Sequence, residues 1–428
     1  MRRVLSSGLL ALALHAACYA ETNWPQFRGP TGQGVSDATG LPVKWSETEN
    51  VAWTTAIHGK AWSSPVVWGD QVWVTTATED GRQLGVVCVD KGSGKILHDL
   101  KLFDVPTPQY AIPFNSYASP TPAIEEGRLY AVFGSPGIAC LDTKTGKVLW
   151  ERRDFVCNHW RGPGSSPVIY KDLLLLPFDG ADYQYVVAMN KNSGQTVWKK
   201  DRSIDFQDTD PKTGKPQSDG DWRKAFSTPR VVSFGGAAPI MLSLGSKALY
   251  AYVPETGEEL WRVEDRAAHS GSATPVVDRD TIYFNTGHGK AELWAVHPGG
   301  HGVIPDSDVL WKVKKNVPTR ASVVLADGLI FMVDDVGMAS CIDPKDGREV
   351  WKKRIGGNYS AAPLFADGRV YFFSEDGKTT AIAPTREMKV LGESQLDGGF
   401  MASPAVSDHA LILRTKTHLY RIEQNVRG

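Results

Sequence analysis

The sequence predicts an all-β protein, an eight-bladed β-propeller whose ring is closed by an N-terminal strand. A pattern A-x-D-x-x-T-G-x-x-x-W recurs along the chain, and a small residue followed by proline recurs out of phase with it. The two repeats are offset, so that the last unit lacks its outer strand. Repetition on this scale is the mark of one supersecondary unit stacked many times.

The first pattern is clearest in CLDTKTGKVLW from Cys140, AMNKNSGQTVW from Ala188, AYVPETGEELW from Ala251 and CIDPKDGREVW from Cys341. Weaker copies start at Cys88, Ala295 and Ala381. Each reads as a strand C ending in a turn and leading into a strand D. In the turn the Asp or Thr side chain bonds nearby amides and the Gly takes a positive φ. The repeated tryptophans Trp53, Trp150, Trp198, Trp261, Trp311 and Trp351 are expected between adjacent blades, where a large apolar face has most to pack against.

The second pattern appears in SSPVVWGDQVWVTTA from Ser63, SPTPAIEEGRLYAVF from Ser119 and AAPLFADGRVYFFSE from Ala361. It predicts strands A and B joined by tight turns at Gly69-Asp70, Glu126-Gly127, Asp327-Gly328 and Asp367-Gly368. The starts are marked by Pro65, Pro122, Pro167, Pro229, Pro275, Pro363 and Pro404, with Ser322 in the remaining slot, at spacings of 41 to 62 residues. Four short strands in a period of roughly 40 to 50 residues describe a propeller blade. Eight A-B-C sets need eight D strands, and the chain ends too soon after Pro404 to supply the last. The segment NVAWTT, Asn50 to Thr55, is expected to take that place and so remove the open sheet edge.

Around this core the sequence divides into a leader at 1–20, an N-terminal extension at 21–44, the propeller at 45–425 and a short tail at 426–428. The leader MRRVLSSGLLALALHAACYA has Arg2 and Arg3, an apolar stretch from Leu9 to Ala17, and small residues at its end. It reads as a secretory signal cleaved after Ala20. The alternative is lipidation at Cys18, although His15 stands where that signal needs an aliphatic residue. Either reading places the protein outside the cytoplasm, in the periplasm or at the cell envelope.

The 47 basic residues nearly balance the 48 acidic ones, without runs of like charge, so nucleic acid and anionic membranes are poor partners. After residue 20 no apolar run approaches the roughly 18 to 20 residues of a membrane helix. Cys88, Cys140 and Cys341 share one slot of the repeat and are expected as small core residues rather than disulfide partners. Cys157, in CNHW, is the odd one.

On these repeats the chain resembles the pyrroloquinoline-quinone-type (PQQ-like) propellers over roughly residues 45 to 425. That architecture is shared by quinoprotein alcohol dehydrogenases and by BamB, the lipoprotein subunit of the outer-membrane β-barrel assembly machinery. The segment NWPQFRGPTGQGVS, Asn23 to Ser36, is similar to the start of exported propellers of planctomycete-like bacteria. The resemblance implies the fold and leaves the activity open, because enzymes and scaffolds both carry the repeat.

In a four-stranded blade the D–A and B–C connections share one face, and here they are long and varied. The D–A connections bring Tyr110, Phe114, Asn115 and Tyr117, then Asn158, His159, Trp160 and Arg161, then Trp222, Arg223 and Lys224. The B–C connections add Asp179, Asp182 and Tyr183, and His288 with Lys290. Carboxylates, imidazoles, cations and aromatic rings around one mouth suit an anionic or sugar-like ligand, or a partner surface.

The expected function is a BamB-like, non-catalytic binding or assembly scaffold, monomeric, with a protein or glycan partner in the cell envelope. On that reading no cofactor is required and no catalytic or metal-binding residue is assigned. One alternative is a PQQ- and calcium-dependent dehydrogenase of alcohols or sugars, with Asn158, Asp179 and Asp182 supplying cation ligands and Trp160 a floor for the quinone. Against it, the sequence lacks an adjacent cysteine pair and a C-x-x-C-H haem motif. A further alternative is a carbohydrate-binding propeller using Tyr110, Tyr117, Trp160 and Trp222. G-x-S-x-G, H-E-x-x-H and the P-loop pattern do not occur.

Overall fold

Seven of the innermost strands begin on the residue after a proline, and each is only three residues long. They are Val66–Trp68, Ala123–Glu125, Val168–Tyr170, Arg230–Val232, Val276–Asp278, Leu364–Ala366 and Ala405–Ser407; the eighth, Val324–Ala326, follows Ser322 by two residues. Proline lacks an N–H and is tolerated at the start of a strand, where no ladder bond is lost. The structure is a computed structural model describing residues 23–216 and 220–424; the leader, with Cys18, and the tail lie outside the described residues.

Eight antiparallel sheets follow in chain order, and each pairs its strands A-B-C-D from the channel outward. We number them blades 1 to 8 from the strand at Val66. In blade 8 the order is Ala405–Ser407, Ala410–Arg414, His418–Glu423 and finally Val51–Ala56, whose Thr54 faces Tyr420 and Thr55 faces Leu419. The N-terminal NVAWTT segment therefore completes the last blade. With Val51–Ala56 and His418–Glu423 paired in one sheet, the ring is closed by hydrogen-bonded backbone.

Two blades carry a fifth strand. Gly302–Ile304, part of the C–D connection of blade 5, runs parallel to the outer strand Glu259–Glu264 of blade 4. Val35–Ser36 runs parallel to the inner strand of blade 7, with Val35 against Phe365.

The face of the C–D turns is uniform. In blade 2, Asp142 Oδ1 accepts from the Thr145 amide at 2.7 Å and from its hydroxyl at 2.7 Å. Each repeat tryptophan donates its indole N–H to a carbonyl in the turn of the next blade: Trp53 to Lys91, Trp150 to Lys191, Trp198 to Pro254, Trp261 to Pro298, Trp311 to Pro344 and Trp351 to Thr385, at 2.8 to 3.1 Å. At four of these junctions the ring also covers the turn glycine: Trp53 over Gly94, Trp150 over Gly194, Trp198 over Gly257 and Trp311 over Gly347. A Cβ at Gly194, φ +71°, would stand 2.7 Å from the Trp150 ring, so this close approach admits only glycine.

The residues before the prolines form a belt around the channel. A backbone N–H of one blade meets the hydroxyl of the next at Ser64 to Thr121, Thr121 to Ser166, Ser166 to Thr228, Thr274 to Ser322, Ala362 to Ser403 and Ser403 to Ser64, all at 2.9 to 3.1 Å. The small residue of the repeat is thus a cross-link between blades as well as a space saver.

The segment from Trp24 to Ser36 threads along the channel. Trp24 exchanges backbone bonds with Val67 of blade 1, Pro25 O accepts from Ile124 of blade 2, and Gly34 O accepts from Phe365 of blade 7. Gln33 Oε1 accepts from Arg230 and from the amide of Val277, in blades 4 and 5. What the sequence shows only as an extension is a floor laid across the propeller axis.

Candidate functional site

On the D–A face lies a cavity of about 460 Å³ to which all eight D–A connections contribute. Its floor includes Phe27 of the threaded segment and hydroxyls of the belt, among them Ser64, Thr121, Ser166, Thr228 and Ser403. A volume of roughly 300 to 1,000 Å³ is what a cofactor or drug-sized ligand occupies.

Two guanidinium groups stand on its walls. Arg161 is held by Asn115, whose Nδ2 donates to the carbonyls of Arg161 at 2.9 Å and Pro163 at 3.2 Å. The Oδ1 of Asn115 accepts from Ser119 at 2.6 Å and from the Ser116 amide at 2.8 Å, so the side chain is spent as a bracket between two connections. Arg161 forms a two-bonded ion pair with Asp221, which sits on the single helical turn Gly220–Trp222.

The second guanidinium, Arg320, lies 4.6 Å above the Phe114 ring, with Asp335 at 3.6 Å and Glu375 at 3.9 Å. Ser360 donates to Glu375 at 2.6 Å and the Thr319 hydroxyl to Asp335, which fixes both carboxylates. Between the cation-bearing walls, His269 and His288 exchange backbone bonds and place their rings 5.3 Å apart. Trp62 adds an aromatic face, its indole N–H on Phe114 O at 3.0 Å.

Of the residues singled out from sequence, Phe114, Asn115, Arg161 and His288 line this cavity. Tyr110 is exposed and meets Trp160 edge to face at 6.5 Å. Tyr183 and Lys290 are exposed as well. Tyr117 covers Gly81, and Trp160 covers Gly220. Asn158 and Asp182 serve the turn: Asp182 Oδ1 accepts from the Asn158 amide at 2.6 Å and the Tyr183 amide at 2.8 Å.

The others point away from the mouth. Asp179 is 1% exposed and makes two bonds to Arg202, at 2.9 and 2.7 Å. Arg223 pairs with Asp208, and Trp222 lies beneath the Lys247 ammonium at 3.0 Å. His159 is buried and accepts from the Ser135 amide at 2.8 Å, with Cys157 Sγ 3.5 Å from the same nitrogen. Burial holds its imidazole well below the usual pKa, with Lys224 adding to the effect, and the same burial pushes the Cys157 thiol up to about 12. This pair is therefore neutral and inert as a nucleophile at ordinary pH.

The cation ligands expected from sequence do not converge. Asp179 is neutralised by Arg202, Asp182 gives its Oδ1 to two amides, and among the described residues no group of three or more His, Cys, Asp or Glu side chains could hold a metal ion. Sequence reasoning passed over Asp221, His269 and Arg320, which occupy D–A connections without a repeat signature. The available signal was their place just before the small-residue-Pro steps, where the chain turns into the channel.

Comparison with known proteins bears on the activity. The chain is 28% identical to quinoprotein ethanol dehydrogenase of Pseudomonas aeruginosa over 198 residues, which is 41% of this chain and 29% of that protein. The Pseudomonas putida enzyme of the same name matches at 28% over 193 residues, again 29% of its length. The matched part thus spans less than a third of these relatives. Among solved structures, a europium-containing methanol dehydrogenase superposes with a TM-score of 0.68 at 14% identity, covering 93% of this chain and 88% of that one. BamB from Moraxella catarrhalis gives 0.57 at 11%, covering 87% and 99%. At such identities these superpositions establish the fold.

The expectation of a non-catalytic scaffold that requires no cofactor is corrected by these findings. The curated relatives matched are dehydrogenases named as quinoproteins. Repeat and ring geometry are common to both kinds of protein, so they could not separate them. A family model described as outer membrane protein assembly factor BamB matches residues 34–153, 85–206, 182–299 and 302–391, and the chain belongs to this family of PQQ-like propellers.

Proposed function

We propose that the mouth cavity is the active site of a quinone-dependent dehydrogenase acting on alcohols or sugars. The observation that carries this reading is a cavity of cofactor size with guanidinium groups on two walls, hydroxyls in its floor and aromatic rings at its sides. That donor set fits a flat, multiply anionic quinone: Arg161 and Arg320 would take carboxylates, Ser166 and Thr228 would donate hydroxyl hydrogen bonds, and Phe114 or Trp62 would cover a ring face. When bound, such a quinone accepts two electrons and two protons from a hydroxyl-bearing carbon.

The chain's own part is binding and proton handling. Asp221 is the carboxylate on the cavity wall that would receive a hydroxyl proton, and its two bonds to Arg161 fix its orientation. Phe27 closes the cavity from below and limits water entry by that route. The donor set does not supply a calcium cage, and no step is assigned to a metal. Exposed Tyr110 and Tyr183 give a sugar two rings to stack on, and a glycan partner in the envelope would meet the same rings.

The location proposed with this activity is the cell envelope, supported by the leader-like residues 1–20 and the family's description. Among the described residues no helix is long and apolar enough to cross a membrane.

The test is a titration of the protein with pyrroloquinoline quinone, with and without calcium, followed by absorbance and tryptophan fluorescence, and then dye reduction over a panel of alcohols and sugars. Saturable binding is expected, weakened about 10- to 100-fold in Arg161→Gln and in Arg320→Gln, the range of a charge-assisted hydrogen bond. A flat titration, or an affinity unchanged from that of the parent protein in both variants, would remove this assignment.

A further inference from the structure

On the C–D face, three adjacent blades differ in charge from the blades that follow them. The C–D connections of blades 1 to 3, residues 91–95, 143–147 and 191–195, carry Lys91, Lys95, Lys144, Lys147 and Lys191 and no acidic residue. Those of blades 4 and 5, residues 253–258 and 297–308, carry Glu255, Glu258, Asp306 and Asp308 and no lysine or arginine. The near-balance of charge over the whole chain averages out this segregation.

Lys91 pairs with Asp408 and Lys191 with Glu125, whereas Lys95, Lys144 and Lys147 are exposed and form no ion pair among the described residues. Asp90 and Asp142, which end the preceding strands, are drawn into the turns. Asp90 Oδ1 accepts from the Ser93 amide and hydroxyl at 2.7 and 2.6 Å, as Asp142 does from Thr145. Nearer the axis the A–B turns present Asp70, Glu126 and Asp172, so the positive charge is confined to the rim.

The same rim exposes apolar side chains. Each of these three outer strands has a bulge, between Ile96 and His98, Val148 and Trp150, and Thr196 and Trp198. A bulge sets two residues against one and re-aims their side chains. Here Ile96, Leu97, Val148, Leu149 and Val197 are turned to solvent, 37% to 51% exposed. The three blades adjoin at this level: a Cβ at Gly146 would stand 3.2 Å from the His98 ring, and one at Gly194 2.7 Å from that of Trp150. The outer strand of each blade thus meets the turn of the next.

The chain also enters the fold here. Asn23 Oδ1 accepts from the Gly69 amide at 2.9 Å, in the A–B turn of blade 1, and Asp70 O of that turn accepts from the Lys91 amide at 2.7 Å. Residues 1–22, with the apolar stretch Leu9 to Ala17, therefore join the propeller on the face that carries this rim. Aliphatic side chains projecting from a rim enter an acyl layer without a complementary pocket, and lysines beside them meet headgroup phosphates.

We propose that the C–D rim of blades 1 to 3 docks on an anionic lipid surface. Leu97, Leu149 and Val197 enter the boundary between headgroups and acyl chains, Lys95, Lys144 and Lys147 face the phosphates, and the mouth on the opposite face points away from the bilayer. The docking does not depend on the quinone reading, since no residue of the mouth takes part.

The experiment is flotation of the whole protein with vesicles of phosphatidylethanolamine and phosphatidylglycerol, beside vesicles of phosphatidylcholine alone. The protein is expected to float with the anionic vesicles, to bind the neutral ones at least about 10-fold more weakly, and to be released by high salt. Leu97→Gln with Leu149→Gln, and separately Lys144→Gln with Lys147→Gln, should each weaken binding about 10-fold. Leu310→Gln with Val390→Gln, equally exposed on blades 5 and 7, should leave it unchanged. All these side chains lie at the surface, so Tm should match the parent in every variant. Binding at parent strength in both rim pairs would assign the contact to residues 1–22 and overturn the proposal. Equal binding of neutral vesicles, or an equal loss in the pair on blades 5 and 7, would overturn it as well. Absence of binding to either vesicle, or self-association abolished by Leu97→Gln with Leu149→Gln, would give the rim to a protein partner or a second copy instead.

Discussion

The two faces of the propeller obey different rules. On the C–D face six of the eight junctions repeat one device, an indole with its N–H on the next blade's carbonyl, laid over a turn glycine at four of them. On the D–A face no two connections are alike, and their side chains gather around a cavity that sets charged and hydroxyl groups among aromatic rings. Identical neighbours can share one packing solution, whereas a ligand is asymmetric and needs unlike groups at defined places. Repetition therefore marks architecture in this molecule, and departure from it marks the site.

Substitutions can test this division, and the largest effect is expected on the repetitive face. Trp261 is 1% exposed, so Trp261→Ala should cost about 3 to 5 kcal/mol in urea unfolding, the range for large core aromatics. Equal stability would mean that the tryptophan junctions do not hold the blades together.

Asp179 is the sharpest case, because sequence placed it among ligand candidates and the fold puts it under the surface. Breaking its pair with Arg202 by Asp179→Asn should cost about 3 kcal/mol, since it leaves a buried guanidinium uncompensated. Loss of quinone affinity with no loss of stability in that variant would return Asp179 to the site.

His159 offers a pH signature. Burial keeps its folded-state pKa far below the unfolded value, so as pH falls below about 6.5 the unfolded chain takes up a proton that the folded one refuses. Stability should therefore fall with acidification, by up to about 1.4 kcal/mol per pH unit from this group. In His159→Gln that share of the slope should vanish, as read from urea midpoints between pH 6.5 and 4.5.

The smallest stability effect is expected at the mouth. Arg161 and Asp221 form a partly exposed pair, so Arg161→Gln should change stability by no more than about 1 kcal/mol while weakening the quinone as described. A loss as large as that of Asp179→Asn would make the mouth pair structural and blur the contrast between the faces.

Much of this was legible beforehand because it is periodic. The eight blades, the A–B turns with Gly127 and Gly368 at positive φ, and the closing strand at Val51–Ala56 all follow from repeats that can be counted. The face that carries the cavity was legible too, from the lengths of its loops. Within that face, individual residues were not. Asn115, Arg161 and His288 reach the cavity, while His159, Asp179 and Arg223, from the same kinds of loop, turn inward to partners far away in sequence.

The sequence by itself determined the fold, the ring closure and the side of the ring that carries the long, varied loops, because strand period and turn chemistry are local properties. Only the tertiary structure decided which polar side chains face the mouth and which are neutralised in the core. It also decided that residues Trp24 to Ser36 cross the axis, dividing one channel into an upper and a lower chamber. Those outcomes depend on partners tens to hundreds of residues apart, such as Gln33 with Arg230 and Arg28 with Val323, and no local pattern encodes such pairings.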